Sequence, residues 1–276
     1  MIEYSRTGSG APVVGLHGWP GGPSDYRELA PLLAEHADVV VPHLLGFADS
    51  FTPADVDRAA SDFGRDAQVA AVVELMDALS LEPAVVVGYD VGSTTALALA
   101  RAHPDRVRAL VLGNAIHPGA AGLALDDDHR HEFWYQDFHQ LALAPELVDG
   151  SVEAVRTYLD HFWSHWGHRP VAAATDDLVS QYARPGAFRV SLNWYRSGSG
   201  TLATALAVRD ADPPSPLDVP ATVLWGARDP LFPTRFAEGL SGLLPQVQVR
   251  ELDDVGHFVP LEAAEETAEA VREHLG

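Results

Sequence analysis

The chain has 276 residues, of which 47% are hydrophobic and 21% are charged, and its formal net charge is −21. This composition supplies enough apolar residues for a large core and excludes an intrinsically disordered chain. The strong negative charge argues against nucleic acid and anionic membrane surfaces as partners. Because the chain contains no cysteine, disulfides and thiol nucleophiles are excluded. The sequence shows no secretory signal pattern and no apolar run long enough to span a membrane, so it predicts a cytoplasmic protein.

The first part of the chain alternates between short apolar runs and segments with helical spacing. The apolar runs are rich in β-branched residues and apolar on both faces, which is typical of buried parallel strands. The segments between them have the period of amphipathic helices, and Ser24 and Ser61 stand where such helices are expected to begin. The predicted strands are 11–18, 37–46, 83–89 and 106–115, and the predicted helices are 25–36, 62–81 and 92–104.

This alternation stops for about a third of the chain and then resumes. Residues 117–212 show helical patterns, many aromatic side chains and no convincing buried strand, and they lead into a proline-rich stretch at 209–220. After that stretch, a strand followed by a loop is predicted at 221–230 and again at 247–257, and helices are predicted at 234–245 and 261–275. The pattern predicts an α/β fold with a mostly parallel sheet flanked by helices. We expect a core domain of residues 1–116 and 213–276 and an inserted, mostly helical cap, or lid, of residues 117–212.

Polar residues follow four of the predicted strands. His17 begins the motif HGWP, Asp90 comes directly after strand 83–89, and Asp229 and His257 end the two strands of the last third. Ligands of open parallel sheets bind beyond the carboxyl ends of the strands, so these side chains are expected to meet. Each has a simpler interpretation alone, a helix N-cap for Asp90, a turn for Asp229 and a loop for His257. Together they show the nucleophile, acid and histidine order of α/β hydrolases, with a carboxylate where serine is usual.

These motifs resemble those of epoxide hydrolases with the α/β-hydrolase fold, over nearly the whole chain. HGWP is similar to that family's oxyanion-hole loop, GYDVGS to its nucleophile elbow, and GARDP and GHF to its acid and histidine loops. The segments FWYQDFHQ and RPGAFRVSLNWYR resemble those that carry the family's two ring-opening tyrosines. The resemblance implies that Tyr135 and Tyr195 have this role and that the backbone N–H groups of Trp19 and Val91 form the oxyanion hole.

A carboxylate nucleophile suits attack on the saturated carbon of an epoxide. Serine would form an ether there, whereas Asp90 forms an ester that water can hydrolyse. We expect His257, oriented by Asp229, to activate that water, and the two tyrosine hydroxyls to assist the departure of the epoxide oxygen. The predicted function is therefore conversion of an epoxide to a vicinal diol. This chemistry needs no metal and no cofactor, so we expect neither.

Aromatic residues near the two tyrosines predict a largely apolar substrate pocket. The candidates for contact with substrate are Phe133, Trp134, Trp194 and Phe258. They favour an apolar small-molecule epoxide, aryl or polycyclic rather than small and polar. The sequence leaves open which epoxide this is and which oligomeric state the protein adopts.

Two positions depart from the family pattern, Val91 where tryptophan is common and Leu45 where arginine is frequent. A haloalkane or haloacid dehalogenase on the same fold is the main alternative, although its halide needs N–H donors that the Val91 side chain lacks. A non-catalytic ligand-binding protein with this fold is a third hypothesis. A serine esterase would need Ser93 as its nucleophile, in an elbow that lacks the second glycine. His161 and His165 lie four residues apart among tryptophans and favour an aromatic helix over a metal site.

Overall fold

One seven-stranded sheet organises the residues that the computed structural model describes, which are 1–169, 175–209, 211–212 and 214–276. Its strands are β1 (Tyr4–Gly8), β2 (Ala11–Leu16), β3 (Ala37–Pro42), β4 (Ala84–Tyr89), β5 (Val107–Gly113), β6 (Ala221–Gly226) and β7 (Val247–Leu252). Their order is β1-β3-β2-β4-β5-β6-β7, and every neighbouring pair is parallel except β1 with β3. The predicted fold class is confirmed.

The central strands are buried on both faces because alternate residues enter two different hydrophobic clusters. In β4, Val86 belongs to one cluster, while Val85 and Val87 belong to the other. Branched valines fit this pleated, doubly covered environment. The antiparallel edge strand β1 reads YSRTG and is mostly exposed, so it carries no apolar run and was not among the predicted strands.

Helices cover both faces of the sheet. On one face α1 (Leu29–Leu33) packs against α14 (Ala264–Leu275), and on the other α2 (Arg65–Ala78) packs against α3 (Val91–Ala102). The remaining helices are α4 (Pro118–Ala121), α5 (Trp134–Gln140), α6 (Leu143–Val148), α7 (Val152–Trp166), α8 (Thr175–Tyr182), α9 (Ala187–Ser191), α10 (Asn193–Arg196), α11 (Thr201–Val208), α12 (Leu240–Leu243) and α13 (Val259–Glu262). We refer to α4 through α11, which come between β5 and β6 in the chain, as the cap helices.

Three predicted helices are shorter or more broken than expected. The segment 25–36 contains only α1, after a 3-10 turn at Pro23–Tyr26 that includes Ser24. The helix expected from Ser61 begins at Arg65 as α2, because Gly64 before it is extended. The segment 234–245 is interrupted at Gly239, whose φ of 79° is left-handed. No helix among the described ranges is both long enough and apolar enough to cross a membrane.

Candidate active site

Asp90 occupies a sharp turn between β4 and α3. Its backbone has a positive φ of 50°, which is strained for a residue other than glycine. The turn needs small neighbours, since a Cβ on Gly92 would lie 1.9 Å from the carbonyl oxygen of Leu16. Asp90 stands at the N-cap position of α3, but its side chain makes no capping hydrogen bond within the described part of the chain. The carboxylate therefore points away from the helix end and lines a cavity.

One oxygen of this carboxylate is held by the loop after β2. The backbone N–H of Trp19 donates to Asp90 Oδ1 over 2.8 Å. His17, which opens the same loop, is buried and accepts a bond from the Leu44 N–H at Nε2, 3.2 Å. Burial lowers the pKa of His17 to about 4, so its imidazole is neutral at physiological pH. Val91, the other residue implied in the oxyanion hole, directly follows Asp90 and lines the same cavity.

The structure brings His257 and Asp229 to the same point. His257 Nδ1 lies 2.8 Å from Asp229 Oδ2, and Nε2 lies 3.6 Å from Asp90 Oδ2. Nε2 is buried and has no hydrogen-bond partner among the described residues. Burial alone lowers the pKa of His257, but the charge and hydrogen bond of Asp229, and then the nearby Asp90 carboxylate, outweigh it and raise the pKa to about 10. At this pKa the imidazole is protonated at neutral pH.

Asn114 is a site residue that sequence analysis missed. Its Nδ2 donates to Asp229 Oδ2 over 2.6 Å, while its Oδ1 accepts from the Gly226 N–H, also at 2.6 Å. The Leu231 N–H donates to the other oxygen of Asp229 over 2.7 Å. Asn114 directly follows β5 and has a positive φ of 41°. A polar residue after a buried strand was the available signal, and this one orients the acid that orients His257.

Glu262 is a second residue that sequence analysis missed. Its buried carboxylate accepts four backbone N–H groups, which lie on both sides of His257 and just beyond α7, namely those of Gly256, Phe258, His168 and Arg169. The N–H of His257 itself donates to the carbonyl oxygen of Trp166, the last residue of α7, over 2.9 Å. The loop that carries His257 is therefore hydrogen-bonded directly to the end of a cap helix.

A buried acid supports the loop 17–22 from the core. Asp25 Oδ2 accepts the Tyr89 hydroxyl at 2.6 Å and the Gly22 N–H at 3.0 Å. Tyr89 directly precedes Asp90, so this bond links the turn at Asp90 to the loop of Trp19. Burial raises the pKa of Asp25 to about 7, and the hydrogen bonds from Tyr89 and the Gly22 N–H and the charge of Arg27 offset this only in part.

Tyr135 in α5 and Tyr195 in α10 line the same cavity as Asp90. Their rings lie edge to face with centroids 5.6 Å apart, and both are almost completely buried. Gln136 Nε2 donates to the hydroxyl oxygen of Tyr135 over 3.0 Å. Burial, followed by the negative charge of Asp90, raises the pKa of Tyr135 well above its ordinary value, and burial does the same for Tyr195. Both phenols are therefore proton donors at neutral pH.

Aromatic packing holds the two tyrosines. Trp19 stacks on Tyr135 with centroids 5.7 Å apart, and the ring centroids of His139 and Tyr195 lie 4.6 Å apart. His139 Nε2 is hydrogen-bonded to the hydroxyl of Tyr158 at 2.9 Å. Burial lowers the pKa of His139 well below its usual value, so this imidazole is neutral. Sequence analysis missed His139, whose position inside FWYQDFHQ offered no distinguishing signal.

The four predicted substrate contacts have different positions. Trp194 lines the cavity of Asp90, whereas Phe133 packs behind it against Phe232, and Phe258 packs edge to face against the ring of His257. Trp134 is 43% exposed and lines an outer groove, so its predicted contact with substrate in this cavity is wrong. Consecutive helical residues point about 100° apart. Tyr135 and Trp134 therefore face different directions, and because Tyr135 faces the cavity, Trp134 faces the outer groove.

Two alternatives raised by the sequence find no support in the geometry. The hydroxyl of Ser93 is buried and donates to the carbonyl oxygens of Gly88 and Gly113, so it is not poised as a nucleophile. His161 and His165 stack at 5.7 Å, and His165 Nε2 lies 2.8 Å from a carboxylate oxygen of Glu132. In the described ranges, no three acidic, histidine or cysteine side chains are grouped as metal ligands.

A family model described as the alpha/beta hydrolase fold matches residues 11–264 of the chain. The chain belongs to this family. The arrangement of Asp90, Asp229 and His257 at the carboxyl ends of three strands thus occurs in an alpha/beta hydrolase, at the edge of the sheet where ligands of parallel α/β sheets bind.

Known relatives of this alpha/beta hydrolase include proteins of two activities. A soluble epoxide hydrolase of Corynebacterium sp. (strain C12) is 29% identical over 273 residues, covering 95% of this chain and 88% of that protein. Haloalkane dehalogenase 2 of Mycobacterium tuberculosis (strain ATCC 25618 / H37Rv) is 27% identical over 286 residues, covering 100% of this chain and 91% of that one. The resemblance to epoxide hydrolases is confirmed, and a dehalogenase is similar to nearly the same degree.

A solved structure of an epoxide hydrolase from Bacillus megaterium is similar in fold. It matches with a TM-score of 0.84 and 19% sequence identity, and the match covers 99% of this chain and 96% of that chain. At this identity the likeness concerns the fold. The chemistry of this alpha/beta hydrolase therefore has to be inferred from its own side chains.

Proposed function

We propose that this alpha/beta hydrolase is an epoxide hydrolase with Asp90 as its nucleophile. The observation that carries the proposal is the pairing, in one cavity, of the Asp90 carboxylate with two buried, neutral tyrosines. An epoxide needs both a nucleophile for its carbon and an acid for its oxygen, and this cavity offers both. The match to the Corynebacterium protein along almost the full chain supports the same assignment.

In the first step, Asp90 Oδ2 attacks an epoxide carbon while Oδ1 stays bound to the Trp19 N–H. The new C–O bond makes an ester, the ring C–O bond breaks, and Tyr135 or Tyr195 gives its proton to the departing oxygen. Esterification removes the negative charge of Asp90, which is one of the charges that raise the pKa of His257. The imidazolium then releases its proton, which replaces the one that the tyrosine lost.

In the second step, neutral His257 removes a proton from water through Nε2, the ring nitrogen that faces Asp90. The resulting hydroxide attacks the ester carbon of Asp90, and negative charge collects on Oδ1, where the Trp19 N–H lies and where we expect that of Val91. Collapse releases the diol and regenerates the carboxylate and the imidazolium. Asp229 keeps Nδ1 in place and stabilises the charged ring throughout.

The dehalogenase alternative suits this cavity less well. A halide is a weak base that leaves without a proton, whereas an alkoxide is a strong base that needs one. Two phenol groups that stay protonated and line the same cavity as Asp90 answer the second need. The side chain after the nucleophile, Val91, is apolar and offers no N–H group to a halide.

The deciding experiment traps the ester. His257→Gln is incubated separately with styrene oxide and with 1-bromobutane, and intact mass and peptide mapping follow. We expect the whole mass of the epoxide to be added at Asp90, with no adduct in the matched double variant His257→Gln, Asp90→Asn. If 1-bromobutane adds its butyl group to the protein and styrene oxide forms no adduct, the result would favour the dehalogenase. A folded protein that forms no adduct with any epoxide would overturn the proposal.

A further inference from the structure

A groove between α3 and α11 lies beside the cavity of Asp90. Its volume is about 500 Å³, and four of its lining residues, Thr94, Ile116, Ser199 and Thr201, also line the cavity of Asp90. The groove and the cavity therefore adjoin one another along these four residues. The cavity itself is small, about 20 Å³, which is room for roughly one water molecule.

Two facing stripes of side chains form the walls of this groove. On α3, Thr94 is followed by Leu97, Ala98 and Arg101 at helical spacing, so one face of the helix lines the groove from the nucleophile outward. On α11, the stripe is Thr201, Thr204 and Val208. Seven residues of helix span about 10 Å. The groove is thus an extended slot that begins beside the cavity of Asp90.

The interior of the slot is mainly apolar. Leu217 and Leu243 are buried at its base, and Leu97, Ala98 and Ile116 line its wall. Three of the hydroxyl groups in the lining, those of Thr94, Ser199 and Thr201, lie where the groove adjoins the cavity. Such a surface gains free energy by covering hydrocarbon rather than by binding a polar chain.

The charges at the rim balance one another. Arg65 is accompanied by Asp66, and Arg101, whose guanidinium donates to the carbonyl oxygen of Ser215, is accompanied on the same rim by Asp212. The whole chain carries a formal charge of −21, which repels anions at long range. This environment favours a neutral ligand over a carboxylate.

We propose that the substrate is a neutral epoxide whose ring lies at or near one end of an extended hydrocarbon chain, and that this chain occupies the groove between α3 and α11. The inference rests on the proposed function. The cavity beside Asp90 is too small for a bulky substituent, while the adjoining groove has room for an extended chain. A linear substrate thus takes the place of the aryl or polycyclic one expected from the sequence.

The first test is a series of neutral terminal epoxides, from 1,2-epoxybutane through 1,2-epoxyhexane and 1,2-epoxyoctane to 1,2-epoxydecane, with styrene oxide as the aromatic probe. Each methylene buried in an apolar slot favours the bound state by roughly fourfold. We expect kcat/KM to rise at least tenfold from the butane to the octane member and to exceed that of styrene oxide. A flat series, or a preference for styrene oxide, would overturn the inference.

The second test narrows the slot. Thr204→Trp places an indole in the groove, whereas Leu206→Trp adds the same indole to an exposed position of the same helix outside it. We expect Thr204→Trp to lower the ratio of octane to butane kcat/KM about tenfold and Leu206→Trp to leave the ratio unchanged. Equal effects, or none, would exclude the groove as the binding site of the chain. If Thr204→Trp does not fold, Val208→Trp takes its place.

The two proposals fail in different ways. If the His257→Gln variant forms no ester with any epoxide of the series, the proposed function fails. If the short epoxides do esterify Asp90 but chain length and the groove variants have no effect, only the substrate inference fails. Faster turnover of a ω-epoxy carboxylate than of the neutral epoxide of equal length would contradict the neutral ligand and assign the rim arginines to an anion.

Discussion

The two sides of the cavity are held in place by different forces. On the core side, both oxygens of Asp229 accept hydrogen bonds, from Asn114 and from the Leu231 N–H, and Asp229 in turn holds His257. On the cap side, Tyr135 and Tyr195 are held mainly by contacts between aromatic rings. Hydrogen bonds fix direction within narrow limits, whereas ring packing fixes position and tolerates small shifts.

This difference corresponds to the two proposed steps. The hydrolytic step transfers a proton at one ring nitrogen of His257, so it needs an imidazole of fixed direction. Ring opening needs donors that reach the oxygen of substrates of different shape, and two tyrosines in a packed aromatic cluster can adjust. We therefore expect substitutions on the core side to slow hydrolysis of the ester and those on the cap side to slow its formation.

Tyr195→Phe, on the cap side, should have the largest effect. The change keeps the ring, and thus the packing against His139, and removes only the proton donor. We expect ester formation, measured in single-turnover experiments, to slow about a hundredfold while ester hydrolysis is nearly unchanged. The control is Tyr4→Phe, which removes a hydroxyl from the edge strand β1. An unchanged rate of ester formation would reassign Tyr195 to packing.

Glu262→Gln should affect the second proposed step, hydrolysis of the ester. An amide presents N–H donors where the carboxylate accepted backbone N–H groups on both of its oxygens, so the loop of His257 loses part of its support. We expect hydrolysis of the ester to slow about tenfold, with ester formation affected much less. The matched control is Glu265→Gln at an exposed position of α14. Equal slowing of both steps would show that Glu262 has only a general structural role.

Asp25→Asn should have the smallest effect on the chemistry and a distinct effect on stability. The pKa of Asp25 is about 7 in the fold and about 4 in an unfolded chain, so the folded state loses stability as pH rises through this window. Asparagine keeps an oxygen for the Tyr89 hydroxyl and the Gly22 N–H without acquiring charge.

We therefore expect Asp25→Asn to melt several degrees above the wild type at pH 8 and at nearly the same temperature at pH 4. Asp57→Asn, at an exposed position, should show no such difference. A variant that melts below the wild type at pH 8 would mean that the ionised carboxylate stabilises the loop of Trp19.

The sequence was informative where a residue's role follows from its place in a strand pattern. Asp90, Asp229 and His257 come at the ends of parallel strands, so their meeting was predictable. The roles of Asn114 and Glu262 were not predictable from the sequence. Their partners are backbone N–H groups and a side chain that only the folded loops bring together. The same holds for the fold, in which apolar strands were predicted and the polar strand β1 was not.

The limit of prediction from sequence is clearest on the cap side of the cavity. Trp134 and Tyr135 are adjacent aromatic residues in one motif, and only the rotation of α5 decides which of them faces Asp90. That rotation is set by packing against distant residues such as Trp19 and Phe162, about which local pattern says nothing.

The link between α7 and the loop of His257 has a consequence for folding. Asp90 lies in a local β-turn-α unit, whose turn can form early from neighbouring residues. His257 acquires its supports only when Glu262 meets His168, which lies 94 positions earlier in the chain, and when its own N–H meets Trp166. A partly folded chain would thus present Asp90 without an aligned His257. Under the proposed mechanism, such a chain could form the ester on Asp90 but not hydrolyse it, so cooperative folding of the two parts would protect the protein from inactivation by an epoxide.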